Sequence, residues 1–457
     1  MKININIINF SLSIILLGIF FMPFNSWDGL SFLGEYSRDS CVLFFLTASL
    51  ILIFKKKIKL PLHSPIFYLL IVFLIWTLST FFLNIVDISS YFFKQTTGYN
   101  RFFRQFISLT ISALVLPVTF YNVFLKVELS ILLVKIRKAM LFSLLVVCSY
   151  AFIEILIVKF NFIFLKKSLL NLYDYLPFVD AKVDLNSSRI SSITFESPAL
   201  GTYLITVFSW LASYVLTSKK WYKFVPALLI IFLAFISGSR AAFFIILIQL
   251  FAFLAIIAGT RKYSKGFLKG LLILTVVSSA GLLISTPKII NYLSSEVQSF
   301  KLNDSDHSIS NKSRFGIQYA MYQVFLENPV IGTGYGQQAF EARAKYPTWA
   351  KRNNWEFRLK YLNQNNKRFP PGYNLYLRLA AETGALGLIG FLLFMTFILI
   401  WCYNNLNRQK NLLAIIVFVS MIGFMLNWLK MDTFRIYGFW ICLALIFVSS
   451  TKKISNA

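Results

Sequence analysis

The apolar positions of this chain fall in long uninterrupted blocks. They do not form the alternating or helically spaced stripes of a soluble domain. Blocks at 5–24, 39–54, 65–83, 105–125, 139–158, 199–217, 224–239, 241–259, 270–286, 384–402, 412–429 and 436–450 approach the length a helix needs to cross about 30 Å of hydrocarbon. They predict twelve membrane spans. The first follows Met1 and Lys2 without a small-residue cleavage pattern, so it reads as a retained span.

The polar interruptions carry the orientation. Lys55, Lys56, Lys57 and Lys59 follow the second block, and Lys126, Lys135, Arg137 and Lys138 the fourth. Lys219, Lys220 and Lys223 follow the sixth, Arg261, Lys262, Lys265 and Lys269 the eighth, Arg408 and Lys410 the tenth, and Lys452 and Lys453 close the chain. Every cluster follows an even-numbered block, so the positive-inside rule predicts both termini on the cytoplasmic side. The other side then receives 25–38, 84–104, 160–198, a turn at 237–240, a long segment 287–383 and a hairpin at 430–435. The expected organisation is spans one to nine within 1–286, a large external (periplasmic) loop with amphipathic helices at 287–383, and spans ten to twelve within 384–457. The long insert has no counterpart in the first half, which weighs against a repeat-built transporter.

Within the long segment, Ile317, Met321, Val324 and Phe325 recur at helical spacing and predict a helix over 311–327 that ends at Pro329. Gly332, Gly334 and Gly336 then make a glycine-rich turn. It follows a helix, not a strand, so it is not a dinucleotide-binding loop.

Composition agrees with the blocks. The chain has 457 residues, 57% of them hydrophobic and 14% charged, with mean hydropathy +0.68, against about 25% charged in soluble domains. Disorder and a soluble core are both excluded, and the fold class is an all-α polytopic membrane protein. The net charge of +27 would suggest nucleic acid in a soluble protein. Here most of it reports orientation, and no nucleic-acid partner is expected. The remainder matters more: between Lys288 and Glu382 thirteen Lys and Arg face seven Asp and Glu. That external excess fits either a solvated surface or an anionic ligand.

Cys41, Cys148, Cys402 and Cys442 are scattered through the apolar blocks, and His63 and His307 lie far apart. Neither set forms a metal or disulfide framework, so no metal or cofactor is expected. Nucleotide P-loop, serine-elbow and HExxH patterns are missing. Asp304-Ser-Asp306 reads as a solvated turn. Glu154 is the one acid deep within a span, a functional candidate by default.

Four segments resemble the O-antigen ligase and Wzy-type polysaccharide polymerase family. They are Arg189-Ile-Ser-Ser-Ile-Thr-Phe-Glu196-Ser-Pro198; Ser237-Gly-Ser-Arg240-Ala-Ala-Phe; Arg314 with Asn328-Pro-Val-Ile-Gly332-Thr-Gly334-Tyr-Gly336; and Tyr373-Asn374-Leu-Tyr-Leu with Glu382-Thr-Gly384-Ala-Leu-Gly387. The resemblance covers roughly 185–400 and the topology. It implies a membrane glycosyltransferase of GT-C-like architecture in the bacterial inner membrane, acting on undecaprenyl-diphosphate-linked oligosaccharides as donor and acceptor. A chain-length regulator is a further expected partner. Ligases carry His where this chain has Tyr373, which tilts the expectation towards a polymerase. The alternatives are the ligase reaction onto lipid A-core and a lipid-linked oligosaccharide flippase.

The site expectations follow from that resemblance and from charge chemistry. Arg240 and Arg314 are expected to hold the diphosphate, since guanidinium fits phosphate oxygens bidentately and stays charged. A snorkelling helix-end Arg240 and a surface-paired Arg314 are the plain alternatives. Arg314 is expected at the start of its helix, where an anion would also meet free N–H groups. Glu196 is a candidate base or the partner of Arg189. Arg189, Tyr373, Asn374, Arg378 and Arg435 are candidate substrate-binding residues.

Overall fold

The computed structural model describes residues 5–55, 58–185, 189–259, 308–409 and 411–455. The expected ninth span, the basic cluster at 261–269 and the loop through Asp304 to His307 lie outside these residues.

The described chain is almost wholly helical. Its main helices are α1 (Ile5–Phe20), α2 (Ser40–Phe54), α3 (Pro65–Leu83), α4 (Gly98–Phe124), α5 (Leu129–Phe160), α6 (Ser197–Ala212), α7 (Val225–Ile236), α8 (Arg240–Ala258), α9 (Ser308–Glu327), α10 (Leu375–Gln409), α11 (Leu412–Asn427) and α12 (Tyr437–Ser455). Six are long and apolar enough to cross a membrane: α3, α4, α5, α6 with its continuation to Thr217, α8, and α10 over Leu375–Leu406. The apolar helices α1, α2, α7, α11 and α12 are shorter.

Three helices start earlier than the apolar blocks suggest. The α4 helix takes in 98–104, read above as external loop, because Arg101 and Gln105 are buried there by polar partners. The α5 helix begins at Leu129, so Lys135, Arg137 and Lys138 lie on its first turns. Arg137 is held there by the Ser213 and Thr217 hydroxyls at 3.2 and 2.7 Å. The α10 helix starts at Leu375, nine residues before its apolar block.

Packing divides the helices into central and peripheral. The α6 helix is buried nearly all round, as is α12 from Phe439 to Val448. Small residues let their neighbours close in: a Cβ at Gly201 would lie 2.5 Å from the Ala242 Cβ, and one at Gly438 would lie 2.3 Å from Thr206. Close approach of this kind supplies much of helix association in lipid. Gln249 adds a buried polar tie, donating to the Ile205 and Val419 carbonyls at 3.2 and 3.1 Å. By contrast, α3, α8 and α10 each keep an exposed apolar stripe, including Val72 and Ile75, Phe244 and Phe251, and Ile389 and Leu393. Such stripes suit lipid contact.

Segment 308–374 builds a second, smaller core. Ile317, Met321 and Val324 of α9 pack with Tyr346, Ala350, Phe357 and Tyr361, and the cluster closes on Ala381 of α10. Two anchors seat it on the membrane helices. Lys94, in the two-stranded hairpin 92–97, is buried and donates to the carbonyls of Lys360, Asn363 and Asn366 at 2.6, 3.0 and 2.9 Å.

The other anchor is a kink in α10. Gly384 has φ +66, and its neighbours offer their backbone groups to the glycine-rich turn. Thr333 and Gly334 donate to the Ala381 and Glu382 carbonyls at 3.0 and 2.9 Å, while Ala385 donates to Pro329 at 2.8 Å. A Cβ on Gly384 would sit 2.1 Å from the Val330 carbonyl oxygen, and one on Gly332 would sit 2.5 Å from the Glu382 carbonyl carbon. The glycines of the third and fourth motif segments thus meet backbone to backbone, which no side chain would permit.

Candidate active site

Loops 21–39, 84–97, 161–185, 189–196, 237–239 and 428–436 gather on one face with segment 308–374. Lys59, Lys126, Lys220 and Lys223 sit at the other end of the bundle, where Asn122 holds the Lys59 backbone and Lys452 donates to the Val127 carbonyl at 2.7 Å. Among the described residues, the motif segments and these basic residues are therefore on opposite faces.

The loop carrying Arg189 and Glu196 is fixed from below. Glu154, fully buried near the end of α5, accepts the Ser191 and Ser192 N–H groups at 3.2 and 2.7 Å. Ser192 has φ +52 and ties its hydroxyl to the Val147 carbonyl. Thr194 Oγ1 donates to the Glu196 carbonyl at 2.9 Å, and the Phe195 N–H reaches Asn25 Oδ1 at 3.0 Å. Glu154, a functional candidate in the sequence as the one acid deep within a span, is thus an anchor for loop backbone.

Above this loop stands a cluster of cations around one carboxylate. Glu196 is exposed, and the charges acting on it, strongest first, are Arg314, Arg189, Lys182 and Lys430. Surrounding protein raises its carboxyl above the usual range, and the four cations oppose that shift. Arg189 packs its aliphatic stem on the Gly238 turn: a Cβ at Gly238 (φ +70) would lie 3.1 Å from Arg189 Cγ. Arg240, two residues on, is the first residue of α8 and half-buried.

Arg314 lies over the Tyr373 ring at 5.3 Å. Tyr373 (φ +57) shares a 2.8 Å hydrogen bond with the Tyr361 hydroxyl, and burial pushes its phenol above the ordinary value. One expectation about Arg314 fails. The α9 helix already runs from Ser308, so Arg314 is well inside it and no free helix-end N–H groups surround it. Its position comes from the exposed face of α9 and from Tyr373. Asn374 is also used differently: its Oδ1 accepts the Leu377 N–H at 3.1 Å, capping the start of α10.

Arg378 and Arg435 belong to a neighbouring cavity of ≈ 390 Å³, lined also by Glu35, Arg101, Arg104, Gln105, Tyr335, Phe369 and Asp432. Arg378 bonds Glu382 at 3.0 Å, Gln105 at 2.9 Å and the Asp432 carbonyl at 2.8 Å. Arg435 pairs with Asp39 at 3.1 Å and also bonds the Glu35 carbonyl. Burial would raise the Glu35 carboxyl, but Arg101, Arg435 and Arg104 override it and hold it down at about 2. Arg101 is buried, stacks on Phe369 at 4.2 Å and, among the described residues, leaves its Nε without a hydrogen-bond partner. Asp432 joins the two sites, since its Oδ2 accepts the Gly372 N–H at 2.7 Å beside Tyr373. A larger cavity of ≈ 830 Å³ lies on the opposite face among Leu129, Arg137, Tyr214, Lys220 and Asn411.

Sequence reasoning missed Arg101, Arg104 and Gln105, although their spacing was a usable signal: i, i+3 and i+4 put them on one helix face outside any basic cluster. Lys182 gave no such signal, because only folding brings it beside Glu196, whereas Lys430 stands in the sequence within a charged external hairpin with Asp432 and Arg435, read either as a border of the site or as a solvated turn. Among the described residues no group of three or more His, Cys, Asp or Glu is placed to hold a metal ion.

A mostly helical bundle with six helices long and apolar enough to cross a membrane, and a polar, cation-rich cluster on one face, defines the class: a multi-pass membrane protein. Residues 225–392 match the family model described as O-antigen ligase, which supports the resemblance to the O-antigen ligase and Wzy-type family over that stretch. No curated protein matches the chain.

Proposed function

We propose that the protein is a polysaccharide polymerase that joins undecaprenyl-diphosphate-linked repeat units on the outer face of the bacterial inner membrane. The observation that carries this reading is the meeting of Arg189, Glu196, Arg314 and Tyr373, from separate motif segments, on the face opposite the basic clusters. By the positive-inside rule that face is external and the termini are cytoplasmic.

In this reading a sugar hydroxyl of the acceptor unit attacks the anomeric carbon of the donor glycan. Undecaprenyl diphosphate departs with the bond electrons. Its charge is met by Arg314 and Arg189, with Arg240 at the start of α8, as fixed donors that need no rearrangement. Bond cleavage at the diphosphate supplies the driving force. The adjoining cavity, with Arg101, Tyr335 and Phe369 on its walls, offers hydrogen bonds and ring faces to the glycan. Tyr373 in place of the ligases' His favours polymerase over ligase. The flippase alternative loses its main support, because Glu154 is satisfied by backbone amides.

Arg314→Ala is expected to lower chain extension by about 10²–10³ while protein levels hold. Normal chain length in that variant would sink the site. A deletion strain separates the reactions. Single repeats still attached to their final acceptor indicate a polymerase, and unattached lipid-linked polymer indicates a ligase.

A further inference from the structure

The larger cavity, ≈ 830 Å³ at the lysine-rich end of the bundle, has no part in the reaction above. It opens between the first turns of α5, the continuation of α6 to Thr217, and the starts of α7 and α11. Its walls are mostly apolar, with Leu133, Leu141 and Leu412 among them. Lys220, exposed, and Lys223, half-buried, also line it.

Arg137 is set into the same wall at 6% exposure. Its Nη1 donates to the Ser213 and Thr217 hydroxyls at 3.2 and 2.7 Å, and its guanidinium lies over the Tyr214 ring at 4.3 Å. Those hydroxyls donate in turn to the Trp210 and Ser213 carbonyls, so they meet Arg137 as neutral dipoles. Among the described residues Nε is covered and unpartnered, and Nη2 makes no hydrogen bond. Nη2 is therefore the edge left for a ligand in the cavity.

The chain supplies no counter-charge there. Among the described residues Arg137 forms no ion pair, and Glu128 is the one acid at this end of the bundle. Glu128 is exposed and takes the Ser130 hydroxyl on its Oε1. A buried cation with only neutral partners is unfavourable, and arginine does not relieve it by losing its proton. An anion from outside the chain would.

We propose that this cavity binds an anionic phospholipid of the adjoining leaflet. The lipid phosphate meets Arg137 Nη2 with Lys220 and Lys223, and an acyl chain lies along Leu133, Leu141 and Leu412. Guanidinium suits phosphate oxygens, and basic pockets between membrane helices on the cytoplasmic side suit lipid head groups. The apolar walls select a lipid over free phosphate, because a free ion gains nothing from them. A zwitterionic lipid brings its own ammonium group and offsets less of the charge.

The test uses the full-length protein in detergent, titrated with phosphatidylglycerol, phosphatidylcholine or inorganic phosphate while thermal unfolding is followed. Phosphatidylglycerol should raise Tm to a plateau, as a ligand of the folded state does, and the other two should not. Arg137→Gln keeps a donor for the hydroxyls and drops the charge. It should weaken phosphatidylglycerol binding at least about tenfold. The Lys220→Gln, Lys223→Gln double variant should weaken it about tenfold, and it reads the same site if R137Q fails to fold. An equal rise with phosphatidylcholine would make the cavity an apolar groove indifferent to head group. A rise with phosphate alone would make it a free-anion site. Either result overturns the proposal, as does undiminished phosphatidylglycerol binding in a folded variant.

Discussion

Charge type alone separates these residues poorly, and partners separate them well. Arg378 and Arg435 are as cationic as Arg314, yet each is already matched to a carboxylate, Glu382 or Asp39. They shape a cavity more than they await an anion. Arg314 instead lies exposed over an aromatic ring. Glu154 shows the same lesson for acids. Its two oxygens hold the Ser191 and Ser192 amides that position Arg189 and Glu196. Glu154→Gln presents an N–H where one amide needs an acceptor. It should cost about 1–3 kcal/mol, read as a lower Tm in detergent, and slow transfer although Glu154 touches no substrate. A wild-type Tm and rate in E154Q would show that the loop does not depend on it.

At the scale of elements, backbone conformation does what side chains cannot. The kink at Gly384 frees the Ala381, Glu382 and Thr383 carbonyls, which receive Thr333, Gly334 and Trp76 Nε1 respectively, the last at 3.0 Å. That junction seats the outer core on α10 and α3. Gly384→Ala would put a side chain at φ +66 and into the Val330 carbonyl. The strained backbone alone costs about 1–3 kcal/mol, so the variant should show a lower Tm and faster proteolysis within 308–374. Protection equal to the wild type would mean that the turn docks without the kink.

For the whole molecule, the separation of faces is the main result. One face carries the cation cluster and the polar cavity, and the other carries the lysine-rich ends. If the site faces outward, Lys367→Cys, on the exposed rim of the cavity, should react with a membrane-impermeant thiol reagent added to intact spheroplasts. The native Cys41, Cys402 and Cys442 are buried and should stay silent, and the partly exposed Cys148 is replaced by Ser in the parent. Labelling only after lysis would reverse the assigned orientation.

Features that depend on near neighbours along the chain are legible in the order of residues. Block length marked the apolar helices, lysine clusters set the expected sidedness, and glycine spacing marked the turn at 332–336, because each is a local property of helix, charge or backbone. The sequence also named Arg189, Glu196, Arg314 and Tyr373, through motif order. Tertiary structure decided what depends on distance through space. It put Lys182 and Lys430 beside Glu196, set Asn374 to capping a helix and Glu154 to holding a loop, and moved Arg378 and Arg435 into a cavity with Glu35 and Asp39. The physical reason is common to all of these. A polar group's role is fixed by which counter-charges and hydrogen-bond partners surround it, and many of those arrive from other segments of the chain.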